Sequence, residues 1–165
     1  YIGATAQING PAEDWPTFYR QKRLSYQLEL ALRNGHGRRL FERGMALAER
    51  VEGFFANYRP GPSLLHGDLW SGNASFLSDG TPVIFDPAVY RGDQEADLAM
   101  TELFGGFSRD FYAAYAQVRP IDSGYAIRKT LYNLYHVLNH ANLFGGGYAG
   151  RAADMIDRLL AHLGH

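Results

Sequence analysis

Three side chains able to act together stand in the middle of the chain. Asp68 and Asn73 lie five residues apart within HGDLWSGN (66–73), and Asp86 follows thirteen residues after Asn73 in IFDPAVY (84–90). Between them, the apolar flanks 74–77 and 82–85 enclose Ser78-Asp79-Gly80-Thr81, a β-hairpin signal. A hairpin returns the chain to its start, so it can bring Asp86 beside Asn73. Two carboxylates and an amide oxygen are what a hard cation such as Mg²⁺ accepts. Asp and Asn also cap turns without any chemistry, and an isolated Asp-x₄-Asn reads that way.

The elements that would position this loop are mostly helical. Asp14 can cap a helix that tolerates Pro16 in its first turn and continues to Asn34, where Gly35-His36-Gly37 breaks it. A second helix is predicted over 38–57, with Leu40, Leu47, Val51, Phe54 and Phe55 at helical spacing and Pro60 and Pro62 beyond it. Leu64-Leu65 is a short apolar run leading into the loop. Beyond Asp93 the pattern predicts helices near 94–104, 108–117, 123–144 and 150–163, broken at Gly105-Gly106 and Gly145-Gly146-Gly147. The expected fold class is mainly α with a small β-hairpin.

Composition narrows the functional classes. The 165 residues are 46% hydrophobic and 20% charged with a net charge of −1, which excludes a disordered chain and leaves no bulk positive field for nucleic acid or an anionic membrane. There is no cysteine, hence no disulfide scaffold, Cys-ligated zinc or cysteine nucleophile. The longest uncharged run, Thr130 to Gly150, carries three Asn, two His and four Gly and is no membrane span. No signal peptide opens the chain, so the expected location is cytoplasmic.

Taken together, the loop and the segment after the hairpin resemble a known pattern. His66-Gly67-Asp68, Asn73 and Asp86-Pro87-Ala88 are similar to the catalytic-loop and metal-binding motifs of kinases. The HGD form resembles the small-molecule kinases related to aminoglycoside phosphotransferases and choline kinases. The fuller strings HGDLWSGN and IFDPAVY, with EADLAMTELFGGF (95–107) and LYNLYHVLNHANLFGGGY (131–148), resemble the fructosamine kinases, or ketosamine 3-kinases. The resemblance implies transfer of phosphate from ATP to the sugar 3-hydroxyl of a ketosamine, free or protein-bound. It implies that Asp68 is the catalytic base and that Asn73 and Asp86 are ligands of Mg²⁺. It also implies the aminoglycoside phosphotransferase-like variant of the protein kinase fold. Such kinases use a glycine-rich loop and a strand lysine, whereas Lys22 and Lys129 both fall in helical patterns. The expectation is therefore a single C-terminal catalytic and substrate-binding lobe over 1–165. The nucleotide lobe would lie outside it, the isolated piece would be inactive, and its exposed interlobe face would favour self-association. The competing readings are an aminoglycoside- or choline-type kinase lobe and a non-catalytic kinase-like binding module.

Other residues carry two readings each. Trp70 stands where protein kinases usually have Lys; it is a platform for a sugar or amine, or it packs on the following helices. By the resemblance Asp97 holds the catalytic-loop backbone and, with His66, supports Asp68; alternatively it is a solvated acid at a helix start. His136 and His140 are one helical turn apart, but no HExxH and no third ligand accompany them, so zinc is discounted. With Asn139 and Asn142 they line the substrate cleft or satisfy one another in a helix interface. Gly145 to Gly150 fits GxGxxG by letter but follows a helix, so it reads as a helix stop. Arg91 has no assigned role.

Overall fold

The computed structural model describes residues 1–164. The first helical arm opens where Asp14 accepts the Thr17 N–H at 2.8 Å, followed by Pro16 in the first turn. It is not one regular helix. α1 (Trp15–Phe18) passes into a π-helical stretch, Tyr19–Ser25, before α2 (Tyr26–Arg33). The wider turn lets Tyr19, Arg23 and Leu24 all face the interior. Gly35, at φ +81°, closes the arm: its N–H bonds Leu32 O and the His36 N–H bonds Ala31 O, a paired C-terminal cap.

The predicted helix over 38–57 is divided. α3 (Arg38–Ala48) ends at Glu49, and Val51–Phe55 forms a 3₁₀ turn that buries Val51, Phe54 and Phe55. Two small antiparallel sheets follow. β1 (Ser63–Leu65) pairs with β4 (Tyr90–Gly92), Leu64 opposite Arg91, a strand the sequence pattern did not announce. β2 (Ala74–Phe76) and β3 (Pro82–Ile84) form the expected hairpin, with Ser75 opposite Val83. Its turn is held by Asp79, which accepts the Thr81 N–H at 2.9 Å.

The remaining chain is helical: α4 (Glu95–Leu103), α5 (Arg109–Val118), α6 (Tyr125–Phe144) and α7 (Tyr148–His162). α6 is apolar around most of its circumference because it is central, packing against α2, α4 and α7. Leu131, Leu134, Val137 and Leu138 are completely buried on it. Arg128 ties α6 to α4 through a buried two-pronged pair with Glu95, at 2.7 and 3.0 Å, and reaches Asp122 at 2.5 Å. The two sheets sit at one end of this bundle. Leu64, Phe76, Leu77, Ile84 and Phe85 remain exposed there, Phe76 and Ile84 on the same face of the hairpin. Among the described residues no helix is long and apolar enough to cross a membrane.

Candidate active site

β1 carries the chain to His66, and from there every turn of the loop is held. Asp97, in the first turn of α4, accepts the His66 N–H at 2.7 Å and the Gly67 N–H at 2.8 Å. Burial lifts the Asp97 carboxyl above the usual carboxylate range, while these two backbone donors and the nearby His66 pull it back. Gly67 turns at φ +83°, which a side chain would resist.

His66 joins the two acidic positions. Its Nε2 lies 3.0 Å from the carbonyl oxygen of Phe85. A carbonyl can only accept, so Nε2 carries the proton, and Nδ1 is left to accept the Asp68 N–H at 3.3 Å. The ring thus bridges Asp68 to the residue immediately before Asp86. The backbone repeats the link: Ala88 N–H bonds His66 O at 2.8 Å, and Phe85 N–H bonds Asn73 O at 3.1 Å. Asp86 has φ +54° and is the one non-glycine residue at positive φ among the described residues. Strain at this spot singles it out.

Asn73 closes a 3₁₀ turn over Ser71–Asn73. Its Nδ2 donates to the Asp68 backbone oxygen at 3.0 Å and to the Asp68 carboxylate at 3.4 Å. That leaves the Asn73 amide oxygen turned away from Asp68. Among the described residues the Asp86 carboxylate accepts no protein hydrogen bond, and it is exposed. One amide and one carboxylate oxygen are therefore free, a hard donor pair that suits Mg²⁺, which keeps water and phosphate oxygens as its other ligands. Among the described residues no group of three or more His, Asp or Glu is arranged to hold a metal ion.

Asp68 is half-buried, and burial raises its carboxyl above the ordinary range. The negative charge of Asp86 pushes the same way; His66 and His140 oppose it. It opens into a cleft of about 370 Å³ whose walls include Trp70, Phe104, His140, Phe144 and Tyr148. The edge of Trp70 meets Phe104 at 6.1 Å between centroids, and Phe104 lies 4.9 Å from the His140 ring. His140 Nδ1 sits 2.8 Å from the His136 carbonyl and so bears the proton, leaving Nε2 as an acceptor. The cleft therefore presents aromatic faces, one carboxylate and one imidazole, and no Lys or Arg.

Asn139 also lines the cleft, but it is buried and its amide is engaged: it accepts from Gln27 at 3.1 Å and points its own donor at Ile2 O. His136 lies behind it in the core. Phe104 and Tyr148 were not singled out from sequence; each is next to a glycine cluster that breaks a helix, the one available signal. The glycines at 145–147 end α6 ahead of α7, as a helix stop. Arg91 is exposed on β4, and nothing in the structure explains it.

With this geometry in place, the chain can be set beside known proteins. The fructosamine kinase family model matches residues 1–162, and the chain belongs to that family. A probable ketoamine kinase of Synechocystis is 50% identical over 159 residues, covering 96% of this chain and 53% of its own length. The chloroplastic protein-ribulosamine 3-kinase of Arabidopsis thaliana is 46% identical over 162 residues, covering 98% and 49%. The crystal structure of a fructosamine-3-kinase candidate from Thermobifida fusca superposes with a TM-score of 0.89 at 33% identity, covering 98% of this chain and 56% of that one. The chain spans about half the length of the curated relatives it matches.

Proposed function

We propose that the protein to which this chain belongs transfers the γ-phosphoryl group of ATP to the sugar 3-hydroxyl of a ketosamine, carried by a small molecule or by a protein lysine. The supporting observation is Asp68, which opens into an aromatic cleft while its backbone is tied through His66 to the Asp86 segment. In this assignment Asp68 accepts the hydroxyl proton as the oxygen bonds to phosphorus and the bond from phosphorus to the bridging oxygen of ADP breaks. Its raised pKa, caused first by burial, makes the carboxylate a better base than an exposed Asp. His66 and Asp97 keep it in place; they do not touch substrate.

Asn73 and Asp86 would hold Mg²⁺, which neutralises charge on the phosphates when bound. Trp70 and His140 would hold the sugar and its amine, a ring face for the apolar side and Nε2 for a hydroxyl. Asn139 would set the cleft floor through its bonds to Gln27 and Ile2. The chain contributes the C-terminal, helical part of this kinase-like fold; Lys22 and Lys129 both lie in helices, so the phosphate-binding lysine would come from elsewhere in the whole protein. The exposed apolar face of the hairpin is where this chain would meet that remainder, or a second copy.

Asp68→Asn in the full-length protein, assayed with Mg·ATP and a fructosyl-lysine peptide, tests the assignment. Turnover should fall by about 10²–10⁴, the usual worth of a general base. Near-normal turnover removes Asp68 from that role.

A further inference from the structure

Arg23 is completely buried, and among the described residues no carboxylate pairs with it. A buried cation without a counter-ion is expensive. Its charge rests instead against three rings, 4.1 Å from the Tyr90 centroid, 4.7 Å from Phe18 and 5.4 Å from Tyr135. Its donors go to the backbone and to one amide. Nη1 bonds Ile8 O at 2.7 Å and Lys22 O at 3.1 Å, and Nη2 bonds Asn9 Oδ1 at 2.9 Å; Nε is unpaired.

Arg23 holds Ile8 and Asn9, and Asn9 with Gln7 on the other side of Ile8 grips the segment after Asp86. Gln7 Nε2 donates to Ala88 O at 2.9 Å, and Asn9 Nδ2 donates to Val89 O at 3.2 Å. Ala88 and Val89 follow Asp86 directly after Pro87, and the Ala88 N–H bonds His66 O. Tyr90, which covers the guanidinium, also lies against Gly67. A continuous set of contacts thus runs from the π-helical stretch through 7–9 to the backbone beside each of the two acidic residues. Met or Leu at position 23 could fill the space but could not hold Ile8 and Asn9 at once. Lys would offer one point charge where the flat fork reaches three acceptors and stacks on a ring.

Building on the kinase assignment above, we propose that Arg23 is a positioning residue. Through residues 7–9 and the Tyr90 ring it fixes the segment after Asp86 against the Asp68 loop, and so sets the placement of the two carboxylates relative to each other.

Arg23→Met, Asn9→Ala and the double variant test this. Asn9 is exposed, so Asn9→Ala removes its bonds to Arg23 and Val89 without opening a cavity in the core, whereas Arg23→Met alters the core itself. In the full-length protein, hydrogen exchange at the Ala88 amide should speed at least tenfold in Asn9→Ala with the Ile156 amide of α7 unchanged, and in Arg23→Met it should speed at least tenfold more than at Ile156. In the full-length protein each single variant should lower turnover about tenfold, and the double variant should be no worse than Arg23→Met alone, because both act through one set of contacts. Unchanged Ala88 exchange in Asn9→Ala, or additive losses in the double variant, would overturn the proposal. If Ala88 loosens as expected while the wild-type protein phosphorylates no ketosamine, the kinase assignment falls and the mechanical link from Arg23 stands.

Discussion

The carbonyl oxygen of Ala88 occupies the space into which a side chain on Gly67 would grow: a Cβ there would lie 2.0 Å away from it. The loop bearing Asp68 and the segment following Asp86 are pressed together at this point. The middle residue of the HGD sequence is therefore restricted twice, by its φ of +83° and by this contact.

Gly67→Ala should destabilise the chain by about 2–4 kcal/mol, combining a left-handed backbone penalty with overpacking against a backbone atom that cannot rotate away. Urea denaturation measures this, and amide shifts of His66 and Ala88 should move with it. A change below about 0.5 kcal/mol, the level of an ordinary surface substitution, would mean the two segments separate easily.

Asp97→Asn removes a charge and one acceptor. The amide can take the N–H of His66 or of Gly67, but it turns its own donor toward the other. The expected loss is about 2–3 kcal/mol, the worth of charge-assisted bonds to partly buried donors. Full-length turnover should fall with it, since the Asp68 loop loses its anchor. Stability equal to wild type in urea would show that the loop is held by the His66 and Ala88 contacts alone.

Asp86 joins a strained backbone to an unengaged carboxylate, and two substitutions separate these properties. Asn tolerates the left-handed conformation, whereas Ala adds about 1 kcal/mol of strain there. Both should abolish Mg²⁺-dependent nucleotide binding in the full-length protein, measured by calorimetry. Asp86→Asn alone should keep wild-type stability. Intact metal dependence in a folded Asp86→Asn protein would take the residue out of the ligand set.

His136 should make the fold more sensitive to acid. Burial, followed by the neighbouring charges of His140 and Arg23, lowers its pKa from 6.5 to about 3. Below 6.5 the unfolded chain takes up a proton that the folded chain refuses until about pH 3. The unfolded state thus binds more protons across this window, and stability falls as pH falls, by about 1.4 kcal/mol per unit from this group. His136→Gln should flatten the pH dependence between 6 and 4 by close to one proton, read from urea titrations. An unchanged slope would place the ring in contact with water.

Much of the site was legible because it rests on local interactions. The hairpin at 74–85 follows from a Gly-containing turn between apolar flanks, and the Asp14 cap from a side chain reaching three residues ahead. The identity and spacing of Asp68, Asn73 and Asp86 were equally readable, since a hairpin has few ways to return. Asp97 carried two readings, and the structure places it under the loop rather than in solvent.

What the tertiary structure alone decided concerns segments far apart in the chain. The pairing of β1 with β4 joins strands of three residues, too short to show a period. Asn139 lines the cleft, and only the packing of α2 against α6 shows that Gln27 engages its amide. Arg23 follows Arg20, Gln21 and Lys22, and its burial beneath Tyr90, within the π-helical stretch, shows only in the packed structure. The aromatic cleft needs the loop, α4, α6 and α7 to converge on it. Local propensity and turn chemistry act within a few residues and leave their mark on the sequence. Burial, hydrogen-bond partners and the field at Asp68 depend on which elements pack together, and that is settled when α6 fills the centre of the bundle.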